Sequence, residues 1–174
     1  MELTPSKPFS ELAKPIIYHF IIQDITKDEG VRGLSYDDHL GFRTVGIGFN
    51  MANSSAKKIW QDAGIPEDFT KVYNKKQKLS EESMIKLVYF FIDEGMAEVK
   101  KLWPDYDNLS INRQRALFNM YYQMGLTTLL KFKNSNKYIN GEEWGLAARN
   151  LKQSLWARQT PHRAQRVIDW VRYG

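Results

Sequence analysis

The chain has 174 residues, of which 43% are hydrophobic, and it carries a net charge of +5 at pH 7 with no cysteine. This length suits one domain or two closely packed lobes with a buried core, and the lack of cysteine excludes both a disulfide scaffold and a cysteine metal site. The net positive charge favours a polyanionic partner, which could be nucleic acid, anionic lipid or bacterial cell wall.

The first predicted helix begins at Pro15 and ends near Gly30. Residues 1–14 are polar, contain two prolines and predict an N-terminal arm. From Pro15 onward, apolar residues recur at helical spacing, and Gly30 is a typical C-terminal stop. Glu29 therefore falls in the last turn, where the helix dipole disfavours a carboxylate. On position alone, Glu29 is interpreted as a solvated acid at a helix end.

Residues 34–49 alternate and carry three glycines, which predicts a β-hairpin or small sheet. Their Val45–Gly48 stretch begins like a dinucleotide-binding loop, but the third glycine is missing, so this signal is weak. The hairpin also brings Asp38 and Thr44 within reach of Glu29. Two carboxylates and a hydroxyl in this layout suit acid/base chemistry on a glycosidic bond.

The rest of the chain has a helical pattern. Start and stop signals predict helices from Asn53–Ser55 to Gly64, from Pro66, from Ser80 to Pro104, from Ser110 to Gly125, around Trp144–Leu151, and from Thr160-Pro161 onward. We therefore predict an α+β, predominantly helical fold. Its predicted parts are an arm (1–14), an N-terminal lobe with the hairpin (15–79), a connecting helix (80–103) and a helical C-terminal lobe (104–174).

The apolar run at residues 15–22 is interrupted by His19 and followed by Asp24. It is too short to span a membrane, and no small-residue cleavage site follows it. We expect neither a signal peptide nor stable membrane insertion, so the protein should stay in a cytoplasm until another factor releases it. The three histidines show no metal-ligand spacing, and no metal is expected.

Three blocks of sequence carry a resemblance to a known family. The first is Glu29-Gly30-x-Arg32, followed by Tyr36-x-Asp38, Gly41 and Thr44-x-Gly46-x-Gly48. The second is Asn119-Met120-Tyr121-Tyr122-Gln123-Met124-Gly125, and the third is Trp156-x-x-Gln159-Thr160-Pro161-x-Arg163-Ala164-x-Arg166-Val167. Together they resemble the phage-type lysozymes of the bacteriophage T4 class, glycoside hydrolase family 24.

The resemblance implies a lysozyme-like fold that hydrolyses the β-1,4 bond between N-acetylmuramic acid and N-acetylglucosamine in peptidoglycan, with no cofactor. Glu29 matches the general acid of the family. Asp38 matches the carboxylate that works with water, and Thr44 matches the hydroxyl that helps to hold that water. Two further sets follow. Substrate-binding positions are Asn50, Tyr122, Gln123, Ser135 and Asn150. Supporting positions are Gly48, Trp156 and Arg163, of which Arg163 pairs with the acid.

One departure from the family pattern concerns an ion pair between hairpin and long helix. Phe49 stands where the family often has a histidine, and Phe91 or Ile92 falls where a partnering aspartate would be. We expect apolar packing in its place, with Phe49 buried against the hairpin and the long helix near Phe91.

The resemblance also implies a biological role, namely an endolysin that acts as a monomer on bacterial peptidoglycan for host cell lysis. It would stay in the host cytoplasm until a holin releases it to the cell wall. Alternatives are a virion-associated lysozyme, a non-catalytic wall-binding module on the same fold, a lytic transglycosylase and a basic nucleic-acid binder. Asp38 and Thr44 argue against the transglycosylase, and the presence of Glu29, Asp38 and Thr44 together argues against the non-catalytic module. The basic patch that would permit a nucleic-acid binder consists of Arg158, Arg163 and Arg166, which fall inside the third block, so we expect no nucleic-acid partner.

Overall fold

The computed structural model describes residues 15–174, so the predicted arm lies outside the described residues. Within this range the chain forms nine α-helices and three strands, and the fold is α+β and predominantly helical, as predicted. The helices are α1 (Ile16–Glu29), α2 (Ala56–Asp62), α3 (Phe69–Tyr73), α4 (Glu81–Leu102), α5 (Ile111–Leu129), α6 (Lys133–Asn140), α7 (Trp144–Lys152), α8 (Leu155–Gln159) and α9 (Pro161–Tyr173). The strands are β1 (Arg32–Asp37), β2 (Arg43–Gly46) and β3 (Phe49–Asn50).

The three strands form an antiparallel sheet in the order β1-β2-β3. Thr44 on the middle strand lies opposite Tyr36 on one side and Asn50 on the other. Because β1 ends at Asp37, Asp38 lies in the following loop rather than on a strand. Strand alternation, which would put Asp37 and Asp38 on opposite faces, therefore stops before Asp38.

Helix α4 is the long helix that follows the N-terminal part of the chain. Its start at Ser80 is confirmed, because the Ser80 side chain accepts a hydrogen bond from the Ser83 amide, and it ends at Leu102, just before Pro104. Gly95 lets α4 approach α5 closely, since a Cβ there would lie 2.5 Å from the Tyr121 ring. The boundaries of the lobes at 79/80 and 103/104 stay predictions.

Helix α5 lies among α1, α4 and α9 in the helical part of the molecule. It is capped by Ser110 as predicted, and its backbone leaves the helical conformation at Gly125 (φ 71°, ψ 163°), after which one more turn runs to Leu129. The predicted stop at Gly125 is therefore a kink. Fully buried side chains around α5 include Trp103, Tyr106, Leu117, Phe118, Met120, Leu129 and Leu151.

Two predicted helix starts differ in detail from the structure. The short helix after Pro66 begins at Phe69, because the Asp68 side chain accepts from the Lys71 amide and supplies the cap. Pro161 is the first residue of α9, but the Thr160 hydroxyl donates to the Trp156 carbonyl instead of capping the helix. None of the helices in residues 15–174 combines the length and apolar character needed to cross a membrane.

Candidate active site

Glu29 is the last residue of α1, and its position is fixed from both sides. Ile17, Ile21 and Ile25 bury the apolar face of the helix, and the Gly30 amide closes it by donating to the Thr26 carbonyl at φ +72°. The Glu29 side chain is 28% exposed, so it is not the fully solvated acid that its position alone suggested.

An arginine from the last helix holds Glu29. The Arg163 Nη1 donates to Glu29 Oε1 at 2.6 Å, across 134 residues of chain, and Arg163 Nε donates to Asn119 Oδ1 at 2.8 Å. Such charge-assisted bonds are the stronger class of hydrogen bond. The pairing of Arg163 with the acid, implied by the resemblance, is present in the structure.

Asp28 extends this arrangement into a buried network. Its Oδ2 accepts from Asn119 Nδ2 at 2.9 Å, and Arg166 Nη2 contacts both of its carboxylate oxygens at 2.6 Å. The Asp28 side chain is only 7% exposed, and Arg163 Nε lies 3.4 Å from its Oδ2. We call Asp28, Glu29, Asn119, Arg163 and Arg166 the acid network. It ties the end of α1 to α5 and α9.

The turn between β2 and β3 forms the opposite wall of the Glu29 site. Gly48 has φ +76°, and a Cβ built there would lie 3.4 Å from Glu29 Cγ and 3.5 Å from Oε2. A glycine therefore allows the backbone to approach the acid directly. Because Arg163 holds Oε1, Oε2 is the oxygen on the Gly48 side.

Asp38 lies at the other end of the sheet, in the loop between β1 and β2. Its Oδ1 accepts from the amides of Leu40 and Phe42, both at 2.9 Å, while Oδ2 accepts no hydrogen bond from the described residues. Thr44 is buried, and its hydroxyl donates to the Phe42 carbonyl at 3.1 Å. Phe42 thus joins the two side chains, because both bind its backbone.

The Tyr36 phenol on β1 is influenced by both acids. Burial raises its pKa, the Arg32 guanidinium over its ring opposes that shift, and the carboxylates of Glu29 and Asp38 both raise the pKa further.

A cavity of about 470 Å³ adjoins this site. Hairpin residues 47–50, one face of α4 and the α5 residues Tyr122 to Gly125 line it. Phe49 is half-buried and packs on Trp60 at 5.9 Å between ring centroids, whereas Phe91 contacts the rings of Tyr121 and Tyr122. Phe49 and Phe91 both line the cavity, but the ring partner of Phe49 is on α2 rather than α4.

The predicted cleft residues of α5 make defined contacts. Gln123 accepts from Trp156 Nε1 at 2.8 Å and its amide lies 3.4 Å from the Thr160 hydroxyl, so Trp156 supports Gln123 rather than facing the cavity. Tyr122 donates its hydroxyl to the Ile47 carbonyl at 2.6 Å. Gln123 and Tyr122 both line the cavity next to the Glu29 site.

Of the other predicted substrate positions, Asn150 lies apart from this cavity, Ser135 is covered, and Asn50 lies at the cavity edge. Asn150 lines a separate open groove of about 620 Å³ at the start of α6. The resemblance implies a substrate contact for Ser135, but this side chain is fully buried and donates to Asn150 at 2.6 Å, so it acts through Asn150. Asn50 is exposed at the cavity edge, and its side chain accepts from the Ala52 amide.

Sequence reasoning named Glu29 and Arg163 but missed the partners that complete the acid network. Asn119 and Arg166 both stand inside the quoted blocks, and Asp28 directly precedes Glu29. Only their place in or next to those blocks could have indicated a role at the site. Helix periodicity and capping signals do not predict a contact across 91 residues, such as the one between Asn119 and Asp28.

The fold and the site together define a lysozyme-like α+β protein. No protein-family model matches the chain. The chain is 35% identical over 157 residues to "Probable T4-type lysozyme 2" of Dictyostelium discoideum, covering 85% of this chain and 91% of that protein. It is 30% identical over 163 residues to "Probable T4-type lysozyme 1" of the same organism, covering 88% and 94%.

The chain therefore belongs to the T4-type lysozyme family, and the resemblance stated from the three blocks is confirmed. A more distant similarity is to the "Pre-baseplate central spike protein Gp5" of Enterobacteria phage T4, at 26% identity over 148 residues. That match covers 82% of this chain but only 26% of the spike protein.

Proposed function

We propose that the protein is a muramidase that hydrolyses the β-1,4 bond between N-acetylmuramic acid and N-acetylglucosamine in bacterial peptidoglycan. The observation that carries this proposal is the placement of Glu29. Arg163 holds one of its oxygens, Gly48 flanks the other, and the same sheet that brings Gly48 to Glu29 carries Asp38 in the loop between β1 and β2. Membership of the T4-type lysozyme family supports the same reaction.

In the proposed mechanism Glu29 is the general acid. Its Oε2, on the Gly48 side, gives a proton to the glycosidic oxygen as the bond to the sugar carbon breaks. Arg163 keeps the carboxyl in one orientation through Oε1, so the transferring oxygen is already in place. After the cycle, the proton released by the attacking water restores the acid through solvent.

Asp38 and Thr44 are proposed to position and activate that water. Asp38 Oδ1 is occupied by two loop amides, which leaves Oδ2 to accept a proton from water. The water oxygen then bonds to the sugar carbon from the face opposite the leaving group, which inverts the anomeric centre. The chemistry uses these side chains alone, with no cofactor or metal.

Substrate binding is proposed to follow the cavity beside Glu29. Asn50, Gln123 and the ring of Tyr122 line that cavity, and Asn150, held by Ser135, extends the surface onto the helical part of the molecule. The basic charge of the chain suits the anionic cell wall. We propose that the protein acts as a monomer on peptidoglycan, without nucleic acid as a partner.

The biological setting is proposed to be host cell lysis, with release of the enzyme from the cytoplasm to the cell wall by a holin. The similarity to the phage T4 spike protein favours a second setting, in which the enzyme is associated with the virion. The reaction is the same in both.

The test of the proposed function is turbidity loss of permeabilised Gram-negative cells. Glu29→Gln should lose activity by about 10²–10⁴-fold, the usual contribution of general acid catalysis, while the circular dichroism spectrum stays that of the wild type. Glu82→Gln is the matched control, because Glu82 pairs with Lys86 on the exposed start of α4. Activity of Glu29→Gln within threefold of the wild type would exclude Glu29 as the acid.

A further inference from the structure

Tyr122 makes a hydrogen bond that joins the helical part of the molecule to the hairpin. It lies on α5, and its hydroxyl donates to the Ile47 carbonyl at 2.6 Å, 75 residues away in the chain. This distance is at the short end for O–H···O bonds. Ile47 and Gly48 lie in the turn that connects β2 with β3.

The orientation of the Ile47–Gly48 peptide is not determined by the sheet. Val45 pairs with Phe49, so residues 46–48 form the loop of the hairpin and their peptides lie outside the ladder of strand hydrogen bonds. The Ile47 carbonyl therefore needs another partner when it is buried. Ile47 is buried, and Tyr122 supplies that partner. The same peptide leads into Gly48, whose Cα faces the Glu29 side chain.

The Tyr122 ring is itself held in place. Phe91 on α4 packs edge-on against it, with 4.9 Å between the ring centroids. Burial raises the pKa of the Tyr122 phenol, and the nearby Glu29 carboxylate raises it further against an opposing effect of Arg163. The hydroxyl therefore stays a neutral donor over the whole range in which a lysozyme works.

We infer that Tyr122 is a positioning residue for the proposed reaction: its hydroxyl fixes the Ile47–Gly48 peptide and, through it, the wall that sets the position of Glu29 Oε2. The inference rests on the proposed function. It differs from the substrate contact that the resemblance implies for Tyr122, because the only hydroxyl proton is already donated to the protein.

The first arm of the test is steady-state kinetics on a soluble, uncross-linked peptidoglycan oligosaccharide. Tyr122→Phe removes only the hydroxyl and should lower kcat about five- to tenfold, as expected for one lost hydrogen bond, with KM within twofold. Tyr121→Phe is the matched control, because the neighbouring hydroxyl donates to Glu98 on α4, away from the cavity lining. Its kcat and KM should stay within twofold of the wild type.

Other kinetic outcomes overturn the inference. A rise in KM with kcat unchanged makes Tyr122 a substrate contact. Unchanged kinetics for Tyr122→Phe, with a melting temperature lowered as in Tyr121→Phe, makes the hydroxyl merely structural.

The second arm does not depend on activity. The ¹³C resonance of the Ile47 carbonyl should move upfield in Tyr122→Phe, as its hydrogen bond is lost, and stay in place in Tyr121→Phe. An unchanged carbonyl resonance in Tyr122→Phe overturns the inference whatever the kinetics. If the wild type cleaves no peptidoglycan, the proposed function fails, and this resonance still decides whether the hydroxyl holds the turn.

Discussion

The two carboxylates of the proposed reaction are held in opposite ways. Glu29 is held by Arg163, a residue 134 positions away, within a network that is largely removed from water. Asp38 is held by the amides of Leu40 and Phe42, two and four positions away, on an exposed loop. One acid is thus positioned by tertiary structure and the other by its own loop.

Because of this difference, we expect Glu29 and Asp38 to respond differently to substitutions around them. The orientation of Glu29 depends on the packing of α1, α5 and α9, so substitutions far from the acid should alter both stability and rate. The orientation of Asp38 depends on a local turn in which a side-chain oxygen binds amides a few residues ahead, a common device of Asx residues. Its chemistry and its structural role are therefore separable by a conservative substitution.

Asp38→Asn should produce the largest effect. Asparagine keeps an oxygen that accepts from Leu40 and Phe42 but loses the charge, so lytic activity should fall by about 10² or more. The free energy of unfolding, measured in urea, should change by about 0.5 kcal/mol or less, as for other exposed positions. Full activity combined with lost stability would show that Asp38 serves the loop alone.

Asp28→Asn tests the acid network that holds Glu29. Asp28 is 7% exposed and pairs with Arg166, which is 27% exposed, so its neutralisation leaves a part-buried guanidinium without its carboxylate and should cost about 1–3 kcal/mol of unfolding free energy. Asp37→Asn is the matched control, because its ion pair with Arg43 is exposed and should be worth at most about 1 kcal/mol. Equal losses in urea denaturation would contradict a special role for the acid network.

Gly48→Ala compared with Gly64→Ala gives the smallest effect and the sharpest comparison. Both glycines have positive φ, +76° and +64°, so alanine should cost a similar amount at each, about 1–2 kcal/mol of stability. Only at Gly48 does the new Cβ contact Glu29, since nothing lies within 4 Å of it at Gly64, just after α2. Lytic activity should therefore fall several-fold in Gly48→Ala alone, and equal activities would separate Gly48 from the acid.

Local signals predicted the ends of elements well. Gly30 ends α1 directly after Glu29, and Ser80 begins α4, because a glycine stop and a serine cap act within a few residues. The predicted helix start at Pro66 is wrong. Asp68 rather than Pro66 starts α3, since a capping carboxylate satisfies an amide that proline does not.

Long-range contacts were beyond sequence reasoning. The link between Asp28 and Arg166 joins residues 138 positions apart, and no periodicity encodes it. The same holds for Phe49, whose ring meets Trp60, and for Ser135, whose burial turns an expected contact into a support for Asn150. The three sequence blocks indicated the family and therefore the arrangement of its site residues, such as the pairing of Arg163 with Glu29, which local patterns do not predict.

We propose that Asp38 and Thr44 activate a water instead of Asp38 attacking the sugar. Inverting enzymes keep their two carboxyl groups roughly 6.5–9.5 Å apart to admit this water, against about 5–5.5 Å in retaining enzymes. We predict the wider separation between Glu29 and Asp38. The Thr44 hydroxyl donates its proton to the Phe42 carbonyl, so in the proposed mechanism its oxygen holds the water by accepting a hydrogen bond from it.

The most direct test is proton NMR of the muramic acid product in the first moments after cleavage of a soluble peptidoglycan oligosaccharide, before mutarotation. We predict the α anomer and no covalent adduct on the enzyme. First formation of the β anomer, or a glycosyl adduct trapped on Asp38 of the wild type, would contradict it.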